Sequence, residues 1–159
     1  SAGGHLAALV STYRGKLDFE GPDAVDAEDY LPNAQILCYP VICNPENGFA
    51  HRGSYHNLLE SRETEDERKV DPSILADEKT PTAFIWHTAA DRLVSVGNSL
   101  LYAQALAAHD VPFALHIYPD GAHGLSTVDG QTNKPLPENV TRAAKWLDEV
   151  KKWLSDLFK

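Results

Sequence analysis

The chain has 159 residues, of which 43% are hydrophobic, so it is long enough to bury one core in one domain. Its 23 acidic and 14 basic residues leave a formal net charge of −9. This balance argues against binding to nucleic acid or to an anionic membrane surface, because both need clustered Lys and Arg. Apolar runs such as residues 83–86 are far too short to span a bilayer.

The sequence begins with Ser1 and contains no Met, which indicates a processed N-terminus or an internal stretch of a longer protein. Any targeting signal would then lie outside it. The only cysteines are Cys38 and Cys43, and Cys38 lies in an apolar run that is typical of a buried thiol. Since one possible pair is not a disulfide framework, we expect a reducing, cytoplasmic compartment.

Helical and strand patterns alternate along the chain. Helices are predicted over residues 2–13, 98–109 and 140–157, where Pro137 and Glu138 suit the first turn of the last one. Short apolar runs with Pro or Gly near their ends predict strands at 34–39, 82–87 and 113–118. The alternation predicts the α/β class: a mostly parallel, doubly wound sheet with helices on both faces.

Three strands alone would leave an open sheet edge and a small core. We therefore expect upstream strands, with residues 1–159 as the C-terminal part of a single domain. Residues 44–77 break the alternation, with no strand pattern and a charge run at 60–69. This segment is either a solvated surface region or a lid that shapes the substrate pocket.

Ser1 is followed by Ala2, Gly3, Gly4 and a predicted helix, as a sharp strand-to-helix turn requires. The Ser1 hydroxyl would project at the N-terminus of that helix. There the backbone N–H of Ala2 can point at a developing oxyanion. Ser1 is therefore a candidate nucleophile, and the Ala2 N–H is a candidate oxyanion donor.

Two further candidates follow predicted strands. Asp91 comes just after the strand at 82–87, and His123 lies on a Gly-flanked loop after the strand at 113–118. Functional sites form at the carboxyl edge of a parallel sheet. The chain order Ser, Asp, His is that of α/β-hydrolases rather than of other serine hydrolases. The three residues together predict a catalytic triad.

These segments resemble acetyl-esterase-like α/β-hydrolases, a group that includes acetylxylan esterases and other carbohydrate acetyl esterases. SAGGHLAA at Ser1 resembles the nucleophile motif, and WHTAADRLVSVGNSLLYAQAL and VPFALHIYPDGAHGLS resemble the acid and base segments. CYPV at Cys38 and HRGS at His51 resemble the strand and loop after the nucleophile. The resemblance implies an α/β-hydrolase fold with Ser1 as nucleophile, Asp91 as acid and His123 as base, and an oxyanion segment upstream.

The resemblance further implies a serine esterase for short-chain acyl esters, with acetyl groups on carbohydrate as the expected substrate. His123 would accept the Ser1 proton, and Asp91 would hold the imidazole tautomer. We expect no metal or organic cofactor, and a small-molecule or carbohydrate ester as the binding partner. Candidates for lining the substrate pocket, with exposed loop positions as the alternative, are His51, Arg52 and Tyr55.

Two other histidines are expected to have structural roles: His5 as a packed helix residue and His87 in ordering the Asp91 loop. The sequon at residues 139–141 falls at a predicted helix start and is expected to be a chance match.

Three alternatives remain open. A peptidase of the prolyl-oligopeptidase type shares the fold and the triad order. An N-terminal-nucleophile hydrolase would use the amine of Ser1 as base, but it expects a sandwich of antiparallel sheets. A non-catalytic binding module on the same fold would leave three triad positions without a role.

Overall fold

The computed structural model describes residues 1–13, 24–25, 28–60, 64–129, 140 and 142–159. Its helices are α1 (Ala2–Thr12), α2 (Arg52–Leu59), α3 (Thr64–Lys69), α4 (Pro72–Leu75), α5 (Gly97–Ala108) and α6 (Trp146–Leu157). Its strands are β1 (Ala34–Cys38), β2 (Thr82–Thr88) and β3 (Phe113–Tyr118).

The three strands form one parallel sheet in the order β1-β2-β3. In its register, Cys38 lies opposite Trp86, and Thr88 lies opposite Tyr118. The three carboxyl ends therefore meet at one edge of the sheet, as the sequence predicted. The parallel pairing also argues against an N-terminal-nucleophile hydrolase, which needs antiparallel sheets.

Alternate residues of the central strand β2 face two separate cores. Ala83 and Ile85 are buried on one face, in a cluster with residues of α1 and α5. Phe84 and Trp86 are buried on the other face, in a cluster with residues of α6. Helices thus cover both faces, which is why β2 is a nearly continuous apolar run.

The observed bounds of the strands and of α5 agree with the prediction to within one residue. The last helix differs, because α6 begins only at Trp146, after a 3₁₀ turn at Ala143–Lys145. The predicted first turn at Pro137 and Glu138 lies outside the described residues. Within the part of the chain that the structure describes, no helix is long and apolar enough to cross a membrane.

The segment 44–77 holds the short helices α2, α3 and α4, and its base is anchored by buried hydrogen bonds. Asp71, which is 2% exposed, accepts from the backbone and side-chain N–H groups of Asn44. The Tyr55 hydroxyl donates to the Ile42 carbonyl over 2.6 Å. The ends of the segment are therefore fixed to the core, while α2 exposes most of its residues.

Asn98, at the start of α5, fixes the chain that leaves β1. It is fully buried, and its Oδ1 accepts from the backbone N–H groups of Ile42 and Cys43 at 2.8 and 3.1 Å. Its Nδ2 donates to the carbonyls of Phe49 and Ser95 at 2.8 and 3.0 Å. One amide thereby satisfies four backbone groups, three of them from the segment that crosses the carboxyl edge of the sheet.

We predict that Asn98→Ala lowers the free energy of unfolding by about 2–4 kcal/mol, because it leaves buried backbone groups without partners. Urea denaturation would measure the loss. Gln104→Ala, on an exposed position of the same helix, is the control and should change stability by less than about 0.5 kcal/mol. Equal effects of the two variants would contradict this role for Asn98.

Candidate active site

Ser1 lies at the N-cap of α1, at the carboxyl edge of the sheet. Its carbonyl accepts from the N–H of His5 at 2.9 Å and from the N–H of Val41 at 3.4 Å, so the helix start is fixed to the loop after β1. The Ser1 hydroxyl does not cap the helix. An N-cap Ser usually accepts from the first-turn N–H groups, so this hydroxyl is not committed to holding the helix.

The backbone around Ser1 fits the predicted sharp turn only in part. At Gly4, an added Cβ would lie 2.9 Å from the Pro40 Cβ, whereas at Gly3 it would meet nothing within 4 Å. Gly4 is therefore the position that permits close packing of α1 against the loop after β1. Ala2 is the first residue of α1, where helical N–H groups have no intrahelical acceptor. Its N–H is thus suited to receive an anionic oxygen.

Asp91 and His123 are in direct contact. The Nδ1 of His123 lies 2.6 Å from the Oδ2 of Asp91, whose side chain is 1% exposed. The other carboxylate oxygen, Oδ1, accepts from the N–H groups of Leu93 and Val94 at 2.9 and 3.0 Å. The structure therefore brings together the predicted acid and base, with His123 oriented by a charge-assisted hydrogen bond.

These contacts keep the Asp91 carboxylate ionised. Burial alone would raise the pKa of Asp91, but the hydrogen bonds from His123, Val94 and Leu93 lower it, and the net pKa lies below its ordinary value. An ionised Asp91 selects the His123 tautomer with the proton on Nδ1. The other ring nitrogen, Nε2, is then a lone-pair base.

Ser1 lies at the same edge of the sheet as this pair, because its carbonyl accepts from the N–H of Val41 in the loop after β1. Among the hydrogen bonds of the described residues, none joins the Ser1 hydroxyl to His123. Such contacts are often long before substrate binds, so the predicted triad does not require this hydrogen bond in the free protein.

The backbone of the His123 loop depends on glycines. Gly121 and Gly124 both have left-handed φ angles, of +133° and +82°. At Gly121 an added Cβ would lie 2.6 Å from Leu125 Cδ1, and its carbonyl accepts from the Thr88 hydroxyl at 2.8 Å. The loop is thus fixed to the end of β2 at a point that only glycine can occupy.

Tyr39 packs against the candidate site, although the sequence pattern predicted no role for it. It follows β1 directly, with a left-handed φ of +38° that is unusual for a residue with a Cβ. Its ring packs edge-on against His123, at 5.0 Å between centroids, and also against Trp86. Its hydroxyl accepts from the N–H of Ser126 at 3.0 Å, beyond His123 in the same loop. Only the resemblance of CYPV pointed to this region; its role depends on long-range packing.

His87 is the second histidine beside Asp91. It is fully buried, and its Nδ1 lies 2.8 Å from the Ser99 hydroxyl. Its Nε2 lies 3.0 Å from the Val94 carbonyl and 3.3 Å from Asp91 Oδ2. Burial lowers the pKa of His87, so the ring is neutral near pH 7. The expectation that it orders the Asp91 loop agrees with these contacts.

The three candidates for the substrate pocket have different environments. Tyr55 is 1% exposed and its hydroxyl is bonded to Ile42, so the pocket role is corrected: Tyr55 is a core residue. His51 caps α2 through Nδ1, and Arg52 donates to the Pro45 carbonyl at 3.0 Å. Both bonds are local, and the pocket role of His51 and Arg52 stays a prediction. Among the described residues, no group of three or more His, Cys, Asp or Glu could hold a metal ion.

We predict that Gly121→Ala lowers the free energy of unfolding by about 2–4 kcal/mol, because it adds both backbone strain and a clash. Gly124→Ala should cost only about 1 kcal/mol, since an added Cβ there has nothing within 4 Å. Urea denaturation of both variants measures the difference. Equal losses would show that the clash with Leu125 does not matter.

Two buried histidines should make folding stability depend on pH. Burial lowers the pKa of His5, whose Nε2 lies 2.7 Å from the Val70 carbonyl, and also that of His87. Below the unfolded value of 6.5 the unfolded chain therefore binds protons that the folded chain does not. The contribution of the two neutral rings to the free energy of unfolding is then fully present above this pH. It falls as the pH is lowered, by up to about 1.4 kcal/mol per pH unit for each histidine.

Denaturation curves at pH 7.5 and 5.5 test this dependence. Asp91 does not contribute in this range, because its carboxyl is ionised in both states. His5→Gln should reduce the slope, whereas the exposed His109→Gln should leave it unchanged. A flat stability profile between these two pH values would contradict the assignment of two neutral buried rings.

The chain is similar to known hydrolases along almost its whole length. It is 38% identical to an acetyl ester-xyloside bifunctional hydrolase from Caldicellulosiruptor lactoaceticus, with a TM-score of 0.85, covering 99% of this chain and 54% of that one. It is 30% identical to the carboxylesterase Cest-2923 from Lactobacillus plantarum WCFS1, with a TM-score of 0.74, covering 98% of this chain and 56% of that one. The chain thus spans about half the length of these solved structures.

Curated relatives are longer still. An acetylxylan esterase from Xylanibacter ruminicola is 32% identical over 129 residues, which are 78% of this chain and 24% of that protein. The endo-1,4-beta-xylanase B of Butyrivibrio fibrisolvens is 31% identical over 134 residues, which are 82% of this chain and 20% of that protein. Residues 44–153 match the prolyl oligopeptidase family. The chain therefore belongs to the prolyl oligopeptidase family, and its parallel sheet is a portion of an α/β-hydrolase fold.

Proposed function

We propose that the protein to which this chain belongs is a carboxylic ester hydrolase that uses Ser1, His123 and Asp91 as its triad. The observation that carries the proposal is the 2.6 Å contact between His123 Nδ1 and the buried Asp91 carboxylate. An imidazole oriented by a buried carboxylate, at the edge of the sheet where a Ser with an uncommitted hydroxyl begins a helix, fits nucleophilic acyl transfer.

In the proposed mechanism, the Ser1 oxygen attacks the ester carbonyl while its proton passes to His123 Nε2. Asp91 stabilises the resulting imidazolium through the Nδ1 hydrogen bond and remains ionised. The N–H of Ala2 binds the oxyanion, and His123 then protonates the departing alcohol. A water molecule, deprotonated by His123, attacks the acyl-Ser1 ester, which releases the acid and restores the Ser1 hydroxyl.

The proposed substrate is a short-chain acyl ester, with acetyl groups on carbohydrate as the preferred class. The names of the similar proteins support this choice, since they include an acetylxylan esterase and an acetyl ester-xyloside hydrolase. The family match favours a second candidate, a serine peptidase of the prolyl-oligopeptidase type. Both candidates use the same triad, so the choice between them rests on substrate and not on mechanism.

The open edge of the sheet supports a proposal about the rest of the domain. A groove of about 400 Å³ lies between α1 and β1, and its lining includes Leu6, Val10 and Ile36. These three side chains are 62%, 41% and 39% exposed, which is unusual for large apolar groups that lie side by side. We propose that a preceding part of the same domain pairs with β1, covers this groove and supplies the second oxyanion donor.

The triad is tested by kinetics of the whole protein on p-nitrophenyl acetate, butyrate and octanoate, acetylated xylan and a prolyl peptide. We expect acetate and acetylated xylan to be hydrolysed fastest. Ser1→Ala and His123→Ala should each lower kcat by at least about 10⁴-fold, because the residues act as a unit. His56→Ala, on an exposed position of α2, is the control and should keep full activity.

Three outcomes would decide against the proposal. Full ester turnover in His123→Ala would exclude the triad. Faster cleavage of the prolyl peptide than of any ester would replace the esterase by the peptidase. A folded whole protein that cleaves none of these substrates would favour the binding module.

A further inference from the structure

His87 is a buried polar side chain for which the triad mechanism has no use. It is fully buried at the carboxyl end of β2, where an apolar side chain of similar size could fill the space. Burying an imidazole costs free energy unless its two nitrogens are hydrogen-bonded. Here both nitrogens have partners, and one of those partners is the Asp91 carboxylate.

The partners determine the tautomer of the ring. The Nε2 of His87 faces two acceptors that carry no hydrogen, the Val94 carbonyl at 3.0 Å and Asp91 Oδ2 at 3.3 Å. That nitrogen must therefore bear the proton. Its Nδ1 is then a lone-pair acceptor, and the Ser99 hydroxyl at 2.8 Å donates to it. Ser99 is fully buried as well, so water does not compete for this bond.

The Nε2–H of His87 lies between two acceptors, the Val94 carbonyl at 3.0 Å and Asp91 Oδ2 at 3.3 Å. Oδ1 is held by two backbone N–H groups, of Leu93 and Val94. Oδ2 is approached by His123 and by His87. Because His123 gains and loses a proton in each half-reaction, its own hydrogen bond changes during turnover. His87 has no part in the proposed proton transfer, so its 3.3 Å contact with Oδ2 need not change during turnover.

We propose that His87, with its tautomer selected by the acceptors at Nε2, is a positioning residue that orients the Asp91 carboxylate toward His123. The inference rests on the proposed function insofar as turnover is the readout. The geometric part, the orientation of Asp91 for the His123 hydrogen bond, can be measured without turnover.

Two amide substitutions separate the two ring nitrogens. The amide nitrogen of Gln can reach the position of Nε2 and donate toward Val94 and Asp91. The amide of Asn reaches only the position of Nδ1, near Ser99. We expect His87→Asn to lower kcat by about 10–100-fold with little change in KM, since a misplacement of about 1 Å in a catalytic group has such an effect. His87→Gln should restore kcat to within about fivefold of the original.

A spectroscopic readout on the whole protein accompanies the kinetics. The proton between His123 Nδ1 and Asp91 should give a low-field proton NMR signal, which His87→Asn should broaden or abolish and His87→Gln should retain. His56→Asn is the matched control and should leave both kcat and the signal unchanged. If His87→Asn does not fold, Ser99→Ala takes its place, because it removes the donor that holds Nδ1 of the His87 ring, and it should weaken the signal and lower kcat.

Equal losses of kcat and signal in the Asn and Gln variants would overturn the positioning role and leave only packing. An unchanged signal in His87→Asn would overturn it as well. If the protein shows the expected contrast in the NMR signal but hydrolyses no ester, the positioning role stands and the esterase proposal fails. The two proposals can therefore fail separately.

Discussion

The hydrogen bond between His123 and Asp91 spans 2.6 Å and joins two loops that are 32 residues apart in the chain. It depends on the parallel pairing of β2 and β3, which brings their carboxyl ends together. It also depends on a carboxylate that stays ionised although it is buried. The hydrogen bond from His123 itself and those from the backbone N–H groups of Val94 and Leu93 meet that requirement and lower the pKa of Asp91, because without such donors burial would favour the neutral acid.

Several buried polar contacts keep this edge of the sheet rigid. Asn98 holds the chain that leaves β1, and Thr88 holds the loop that carries His123. The Tyr39 ring packs against His123, and its hydroxyl accepts a hydrogen bond from the Ser126 N–H. Each contact joins elements that are far apart in sequence. The geometry of the site therefore depends on the whole sheet, and a substitution in one loop should shift the positions of the others.

Much of this arrangement could be predicted from the sequence. The apolar runs determine the three strands, and the position of Asp91 and His123 just after two of them determines their shared edge. The role of Gly121 could also be predicted, because a loop that turns back over the sheet needs a residue with a left-handed backbone conformation. The tail helix was predicted too long, since an apolar stripe continues through a 3₁₀ turn without marking where the α-helix begins.

The contacts of Tyr39, Asn98 and His87 could not be predicted in this way. No local pattern indicates that an amide at a helix start will meet a loop 55 residues earlier, or that a Tyr after a strand will meet a His. The wrong assignment of Tyr55 has the same origin, because its burial depends on packing between α2 and the loop after β1.

In the proposed mechanism, His123 and Asp91 activate Ser1 as the nucleophile. Labelling of the whole protein with a fluorophosphonate, followed by peptide mass spectrometry, tests this activation. We expect a single adduct, on Ser1, that is lost in His123→Ala. An adduct on another residue, or ester hydrolysis that persists without labelling of Ser1, would contradict it.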